Sequence, residues 1–406
     1  MTEHANYREA RDLLISLVQK IGTERTELEK AAGRILAGNL LASENVPAFD
    51  RSPYDGYAFR AEDSAGASEE TPVTLQVIEE IPAGSVPSRE IVPGTAAKIL
   101  TGAPIPQGAD AVVMYEKTKF TGDTVTLSAP VSFGDNIVYA GEDVKKGEIL
   151  AAAGTVIDAG LAGTLAAQGI GYPEVFQKPL VGMISTGSEL VEASEEGPIP
   201  QGKIRNTNRY TIGAALQKDG CIPVYLGTAG DDVSEIAELI LKGLEETDLV
   251  VLTGGVSAGD YDLTPQAMEA AGCEILIHGV DLKPGMACCY GMKDGKAVCA
   301  LSGNPSSSIL NYYTILRPAV RKMTGLMFYM PDTIKVTLAE GFGKKSKTVR
   351  LLKGRLSIEN GQAVMHLPKG QGNIMIGSSI GCNVLAVVPA GTGKLEAGTV
   401  LDGFQI

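Results

Sequence analysis

PLVGMIST (179–186), IPVYLGTA (222–229), DLVVLTGG (248–255) and KAVCALSG (296–303) are apolar runs of strand length. Helix-patterned stretches lie between or after them: NTNRYTIGAALQKDG (206–220), VSEIAELILKGLEET (233–247), TPQAMEAAG (264–272) and PSSSILNYYTILRPAVRKM (305–323). Near-continuous apolar strands alternating with amphipathic helices predict a doubly wound α/β sheet covered on both faces. This central α/β domain is expected over residues 178–326. Ligands of such sheets sit in the crevice at the carboxyl ends of the strands.

Working outward, the texture changes on both sides. Ala10, Leu13, Leu14, Leu17, Val18 and Ile21 share one helical face, so a packed helix is expected over about 6–21. VTLQVIEEI, AAKIL, ADAVVMYE and TVTLSAP are short β-prone runs set apart by Gly and Pro. They predict a β-rich domain over 44–134, inserted into an elongated N-terminal helical and mixed region formed by 1–43 with 135–177. TIKVTLAEG, KTVRLLKGRLSI, AVMHLP and NVLAVVP predict a small β-barrel-like C-terminal domain over 327–406.

The 406 residues exceed what one core fills, and 44% apolar with 20% charged residues fits a folded protein rather than a disordered one. A formal net charge of -13 argues against an unspecific nucleic-acid binder, because phosphate backbones are held by clustered Lys and Arg. It leaves room for a small anion in a local basic pocket. The six cysteines form no CxxC pair and read as reduced thiols. The N-terminal stretch MTEHANYREARDLLISLV lacks a basic flank followed by an apolar block, and no apolar run is long enough to span a bilayer. The expectation is a cytoplasmic protein with no membrane span.

Three strand ends carry glycine-rich polar turns: STGSEL (185–190), TGGVSAGDYD (253–262) and SGNPSSS (302–308). Glycines allow close backbone approach, and hydroxyls with free N–H groups at a following helix start suit an anionic group. Such turns also serve simply to turn corners in α/β sheets, but three in one block favour a site. Carboxylates lie beside them: Glu189, Asp231, Asp232, Asp260 and Asp262. One or two carboxylates with ligand oxygens and water are what magnesium prefers. Asp231 and Asp232 equally stand where a helix N-cap belongs before VSEIAELI. DRSPYDGYAFRAED (50–63) and KILTGAPIPQGADAVVMYE (98–116) read by themselves as a turn and a hairpin rim. KKSKTVRLLKGR (344–355) holds six basic residues and reads as a solvated strand face that would attract anions beside a cleft.

SPYDGYAFR, LTGAPIPQGADAVVMYE, STGSEL, GKIRNTNR, LTGGVSAGDYD, LKPG and LSGNPSSS stand in the order found in molybdopterin molybdenumtransferases, relatives of the E domain of gephyrin, and the chain resembles that family along nearly its whole length. The resemblance implies an enzyme that takes adenylylated molybdopterin and molybdate and yields molybdenum-bearing molybdopterin and AMP, with Mg2+ present. It also implies a homodimer of four subdomains per chain, with the site in a cleft between protomers, and contacts with other enzymes of the pathway. Matched residue by residue, Asp55, Thr101, Asp143, Glu189, Asp231, Asp262, Lys283, Ser302 and Pro305 fall on family motif positions. The expected catalytic residues are Asp55, Thr101, Glu189, Asp231, Asp262 and Lys283, with Glu189, Asp231 and Asp262 on the metal and Lys283 on the oxyanion. Ser185, Thr186, Gly187, Gly254, Gly255, Ser257, Ser302, Gly303, Asn304 and Pro305 are expected to bind the pterin phosphate and adenylyl group.

Departures concentrate on the molybdate subsite. Gly279 stands where the family has lysine, Thr348 where it has arginine and Asn373 where it has serine, while Tyr54 and Asn206 replace Met and Asp. Lys347, Arg350 or Lys353 are candidates to make good the lost charge. A weakened paralogue that binds pterin or scaffolds the pathway, and a tungstate-inserting enzyme, are the alternative readings.

Overall fold

The computed structural model describes residues 2–256 and 263–406. They form two compact units, one of Met1–Gly38, Ala153–Ala159 and Tyr172–Ile406, the other of Asn39–Ala152 and Gly160–Gly171.

A seven-stranded sheet organises the larger unit. Its order is Thr2–Ala5, Glu274–Val280, Cys288–Lys293, Lys296–Leu301, Leu249–Thr253, Leu180–Thr186, Ile222–Ala229. The last four run parallel, and Cys288–Lys293 is antiparallel to both its neighbours. Alternate residues of each central strand enter different cores. Val181, Met183, Leu249 and Val251 pack with the helices Tyr7–Leu17 and Thr207–Lys218 and the C-terminal helical segment. Ile184, Val250 and Leu252 pack with Val233–Glu246 and Thr264–Ala270. Burial on both faces explains why these strands are apolar without alternation. The packing is tight: a Cβ at Gly243 would lie 2.7 Å from Leu226 Cδ1 and 2.8 Å from Val250 Cγ2.

The N-terminus differs from expectation. Thr2–Ala5 is a strand, parallel to Glu274–Val280, and the helix runs only from Tyr7 to Leu17. Asn6 caps it through its side chain, and Val18 takes an extended conformation that ends it before Ile21. The segment 305–323 is helical throughout but widens to a π-helical turn at Tyr312–Leu316, just before Pro318. Such a turn relieves the loss of a backbone donor at the proline.

The C-terminal β domain is a closed ring: Val349–Glu359, Gln362–His366, Thr333–Leu338, Val400–Gln405 and Val384–Val388 pair in succession, and the last returns to the first. Leu282–Lys283 adds in parallel to its rim, with Lys283 opposite Arg350. The basic run is a solvated face only in part: Lys344, Lys345, Lys347 and Arg355 are exposed, but Arg350 and Lys353 are not. Arg350 through Gly354 are buried, and Lys353 donates to Ser306 Oγ at 2.9 Å, the Met375 carbonyl at 2.9 Å and Ser379 Oγ at 3.0 Å.

The second unit holds a six-stranded sheet, ordered Ala111–Met114, Gly56–Phe59, Thr95–Ile99, Val73–Ile81, Thr124–Leu127, Thr118–Phe120. Tyr57 and Phe59 face one core, Ala58 and Ile99 the other. No helix among the described residues is long and apolar enough to cross a membrane. All six cysteines are unpaired, five of them buried.

Candidate functional site

The three glycine-rich turns, the second of them as far as Val256, converge at the carboxyl ends of the parallel strands, where they line a cavity of about 490 Å³. Thr186, Gly187, Glu189, Asp231, Gly254, Gly255, Ser302, Gly303, Asn304 and Pro305 form its wall, joined by Asn206 and Asn208. The glycines are required by backbone conformation or by contact. Gly254, at φ +109°, would place a Cβ 2.5 Å from the Thr186 carbonyl oxygen and Oγ1. A Cβ at Gly255 would lie 2.6 Å from Thr264 Oγ1. At Gly187, φ +133°, it would meet the Glu189 carboxylate. What these glycines supply is shape: the expected free N–H donors are partly spent, since Gly187 donates to Ala229 and Gly254 to Leu301.

The paired aspartates divide the two roles foreseen for them. Asp232 caps Val233–Glu246, its Oδ1 accepting from the Glu235 N–H at 2.9 Å. Asp231 instead opens on the cavity and accepts from Ser188 Oγ at 2.7 Å. Glu189 is exposed on the same wall. Ser185 is buried beneath the site and is not part of the wall. Its Oγ accepts from Asn206 Nδ2 at 2.9 Å. Ser257, Asp260 and Asp262 lie outside the described residues. Among the described residues no group of three His, Cys, Asp or Glu gathers as a metal cluster.

Below this wall a network missed by sequence reasoning fixes the turn after STGSEL. Asn206 caps Thr207–Lys218 while its amide also donates to Glu192 at 2.9 Å and to the Tyr225 hydroxyl. Arg209 bonds Glu192 at 2.7 Å and stacks 3.7 Å above the Tyr225 ring. Burial pushes the Glu192 carboxyl up, but the bonds from Asn206 and Arg209 and the Arg209 charge outweigh it and hold the group below the usual range. Asn206 thus suits a neighbouring carboxylate that an aspartate would repel. Asn208 was also missed. Its Nδ2 donates to the Gly303 carbonyl at 2.9 Å, and its buried Oδ1 lacks a partner at the cavity wall. Such an orphan acceptor is expected where a ligand donor belongs.

A second cavity, of about 710 Å³, shares Val256, Ser302 and Asn304 with the first. Lys283 lines it together with Lys344, Arg350, His278, Gly279 and Asn373. Among the described residues none of Lys283, Lys344 and Arg350 forms an ion pair. Arg350 is 8% exposed, and its Nε has no hydrogen-bond partner. Burial pushes its guanidinium pKa down. Of the three candidates for replacing lost charge, only Arg350 reaches the wall: Lys347 is exposed elsewhere, and Lys353 is enclosed by Ser306, Ser379 and Met375. Lys344, within the same basic run, was passed over.

Asp55 and Thr101 lie in the other unit at adjacent strand ends. Asp55 Oδ1 accepts from the Thr101 N–H at 2.7 Å and Oγ1 at 2.8 Å, and these bonds hold its carboxyl below the usual range. Gly56 beside it admits no side chain, because a Cβ would fall 2.0 Å from the Val113 carbonyl oxygen.

Comparison with known proteins matches three family models in succession: the MoeA N-terminal region (domain I and II) over residues 5–169, a probable molybdopterin binding domain over 182–322, and the MoeA C-terminal region (domain IV) over 335–403. A Staphylococcus aureus protein named molybdopterin molybdenumtransferase is 36% identical over 378 residues, 92% of this chain and 89% of that one. A Staphylococcus epidermidis protein of the same name is 37% identical over 376 residues, with the same coverage. The crystal structure of a molybdopterin biosynthesis moeA protein from Pyrococcus horikoshii OT3 superposes with a TM-score of 0.86 at 34% identity, covering 99% of this chain and 100% of that one.

Proposed function

The chain belongs to the MoeA family of molybdopterin molybdenumtransferases, enzymes of molybdenum cofactor biosynthesis, and from that premise we propose that it transfers molybdenum from molybdate to adenylylated molybdopterin with release of AMP. The observation that carries the reading is the meeting of two cavities at two neighbouring turns. A glycine-shaped cradle with carboxylates and a cation-lined pocket share Val256, Ser302 and Asn304.

In this reading the cradle holds the pterin phosphate and adenylyl group. Gly254, Gly255 and Gly303 let them approach backbone, and Asn208 Oδ1 accepts a ligand N–H. Ser302 and Asn304, common to both walls, orient the dithiolene end toward the cations. Lys283 and Arg350 take the oxyanion, because charge-assisted bonds to acceptor oxygens are strongest where water is excluded. Glu189 and Asp231 fit magnesium, being two carboxylates on one wall open to ligand oxygens, and the ion when bound would neutralise phosphate charge. Asp262 is proposed as a further ligand. Asp55, kept ionised by Thr101, and Thr101 itself remain proposed catalytic residues.

The test is AMP release from adenylylated molybdopterin, measured with and without molybdate and in excess chelator. Molybdate-dependent release that stops on chelation is expected. Release indifferent to molybdate would remove the transfer step, and full activity in chelator would remove the metal. A cytoplasmic homodimer belongs to the same proposal, and sedimentation showing only a 42.4 kDa species at working concentration would overturn the dimer.

A further inference from the structure

Resting on the reading of the second cavity as the oxyanion pocket, we propose that His4, carried on the N-terminal strand, donates to the oxyanion there. Nothing in its sequence neighbourhood announces this. The role arises from where the sheet places the residue.

Thr2–Ala5 is an edge strand whose register sets Glu3 opposite His278 and Ala5 opposite Val280. A regular strand sends successive side chains to opposite faces. Here Glu3 and His4 both line the cavity, while Ala5 is buried in the core. The break comes from His4 itself, at φ 50°, a left-handed conformation that a non-glycine residue adopts at a cost. That conformation turns the imidazole over Gly279. The ring's Nδ1 lies 3.3 Å and its Cε1 3.5 Å from where a Cβ at Gly279 would be. Gly279 is itself left-handed, at φ +82°, so the position disfavours a side chain, and a Cβ there would sit tightly against the ring. The space that residue 279 leaves empty is the space the imidazole fills.

The surroundings indicate what the ring meets. Lys283, Lys344 and Arg350 bring three positive charges against the Glu3 carboxylate. The unpartnered Nε of buried Arg350 requires an acceptor, and a buried donor without one is rare in folded proteins. A tetrahedral oxyanion offers four acceptor oxygens. It can be shared between Arg350, Lys283 and an imidazole N–H arriving from a separate element, which gives a directional contact that mobile lysines do not.

The experiment is calorimetric titration of the full-length chain with sodium molybdate, comparing wild type, His4→Ala, His4→Phe and Lys283→Ala, with a thermal midpoint for each. His4→Phe keeps a ring over Gly279 but has no N–H, so a packing role would survive it. We expect both His4 variants to bind molybdate about tenfold more weakly, and His4→Phe to melt at the wild-type midpoint. If His4→Ala lowers the midpoint, His4→Phe decides. Weak binding by Lys283→Ala beside wild-type binding by His4→Phe would overturn the role of His4 and leave the oxyanion pocket standing. Wild-type binding by all three variants would overturn the pocket, and this inference with it.

Discussion

Asp231 and Asp232 are adjacent in sequence, chemically identical and assigned different work by geometry, so replacing each in turn separates stability from chemistry. Asp232 satisfies the Glu235 N–H at the start of Val233–Glu246, and Glu235 in turn accepts from the Gly230 N–H at 2.8 Å. Asp232→Ala removes the cap, which costs about 1 kcal/mol. That corresponds to a fall in thermal midpoint of about 2 to 4 °C for a domain of this size. The cavity wall is untouched, so single-turnover AMP release should stay within about twofold of wild type, the scale of a substitution that meets no reacting atom. Asp231→Asn keeps the volume and still accepts from Ser188, so the midpoint should move by less than about half a kcal/mol of stability. It removes one negative charge from the proposed metal wall, and AMP release should fall about a hundredfold or more. Both quantities come from the same two preparations, by calorimetry and rapid quench. The reasoning is refuted if Asp231→Asn turns over at the wild-type rate, or if Asp232→Ala slows release as much as Asp231→Asn at an unchanged midpoint.

Gly254→Ala forces a Cβ to within 2.5 Å of the Thr186 carbonyl oxygen at a left-handed φ, and should lower stability by at least about 2 kcal/mol. Gly303→Ala, whose Cβ meets only Gly254 Cα at 3.5 Å, should be close to neutral. Equal urea midpoints for the two variants would contradict the close approach described at the cradle. His366 bonds Glu359 at 2.7 Å and faces Glu340 at 3.5 Å, so hydrogen bonding to Glu359, then the charges of both carboxylates, raise its pKa above 6.5. Because the folded value is the higher one, this contribution to stability is fully present below pH 6.5 and is lost as pH rises through the folded value. Proton NMR titration of His366 should give a value above 6.5, and one at or below it refutes the pairing.

The α/β core was readable because two physical signals coincided there. Strands buried on both faces are apolar without interruption, and the turns at their ends need glycine for contact reasons that leave a mark in sequence. Thr2–Ala5 carried neither signal. It is four mixed residues, made a strand only by the edge of Glu274–Val280. Lys353 looked like surface charge because sequence shows the ammonium but not Ser306 and Ser379, which arrive from distant segments to satisfy it. Asp231 and Asp232 both satisfied the cap pattern, and only the chain's entry angle into the helix decides which of them turns inward. Asn206 stood out as a departure from the family motif. Its reason, the Glu192 carboxylate 2.9 Å away, lies 14 residues upstream and became visible only in three dimensions.

The pairing of Leu282–Lys283 with the rim of the C-terminal ring has a consequence for dissecting the protein. Lys283 and Arg350 stand opposite each other on one ladder, although one belongs to the segment leaving the α/β sheet and the other to the ring wall. A chain truncated near residue 326 would keep every described glycine of the cradle and lose the ladder that holds Lys283, together with Arg350 and Lys344. On the proposed assignment of the two cavities, such a fragment would retain the grip on the organic substrate and forfeit the inorganic one, which would make the ring a working half of the pocket and not a detachable appendage.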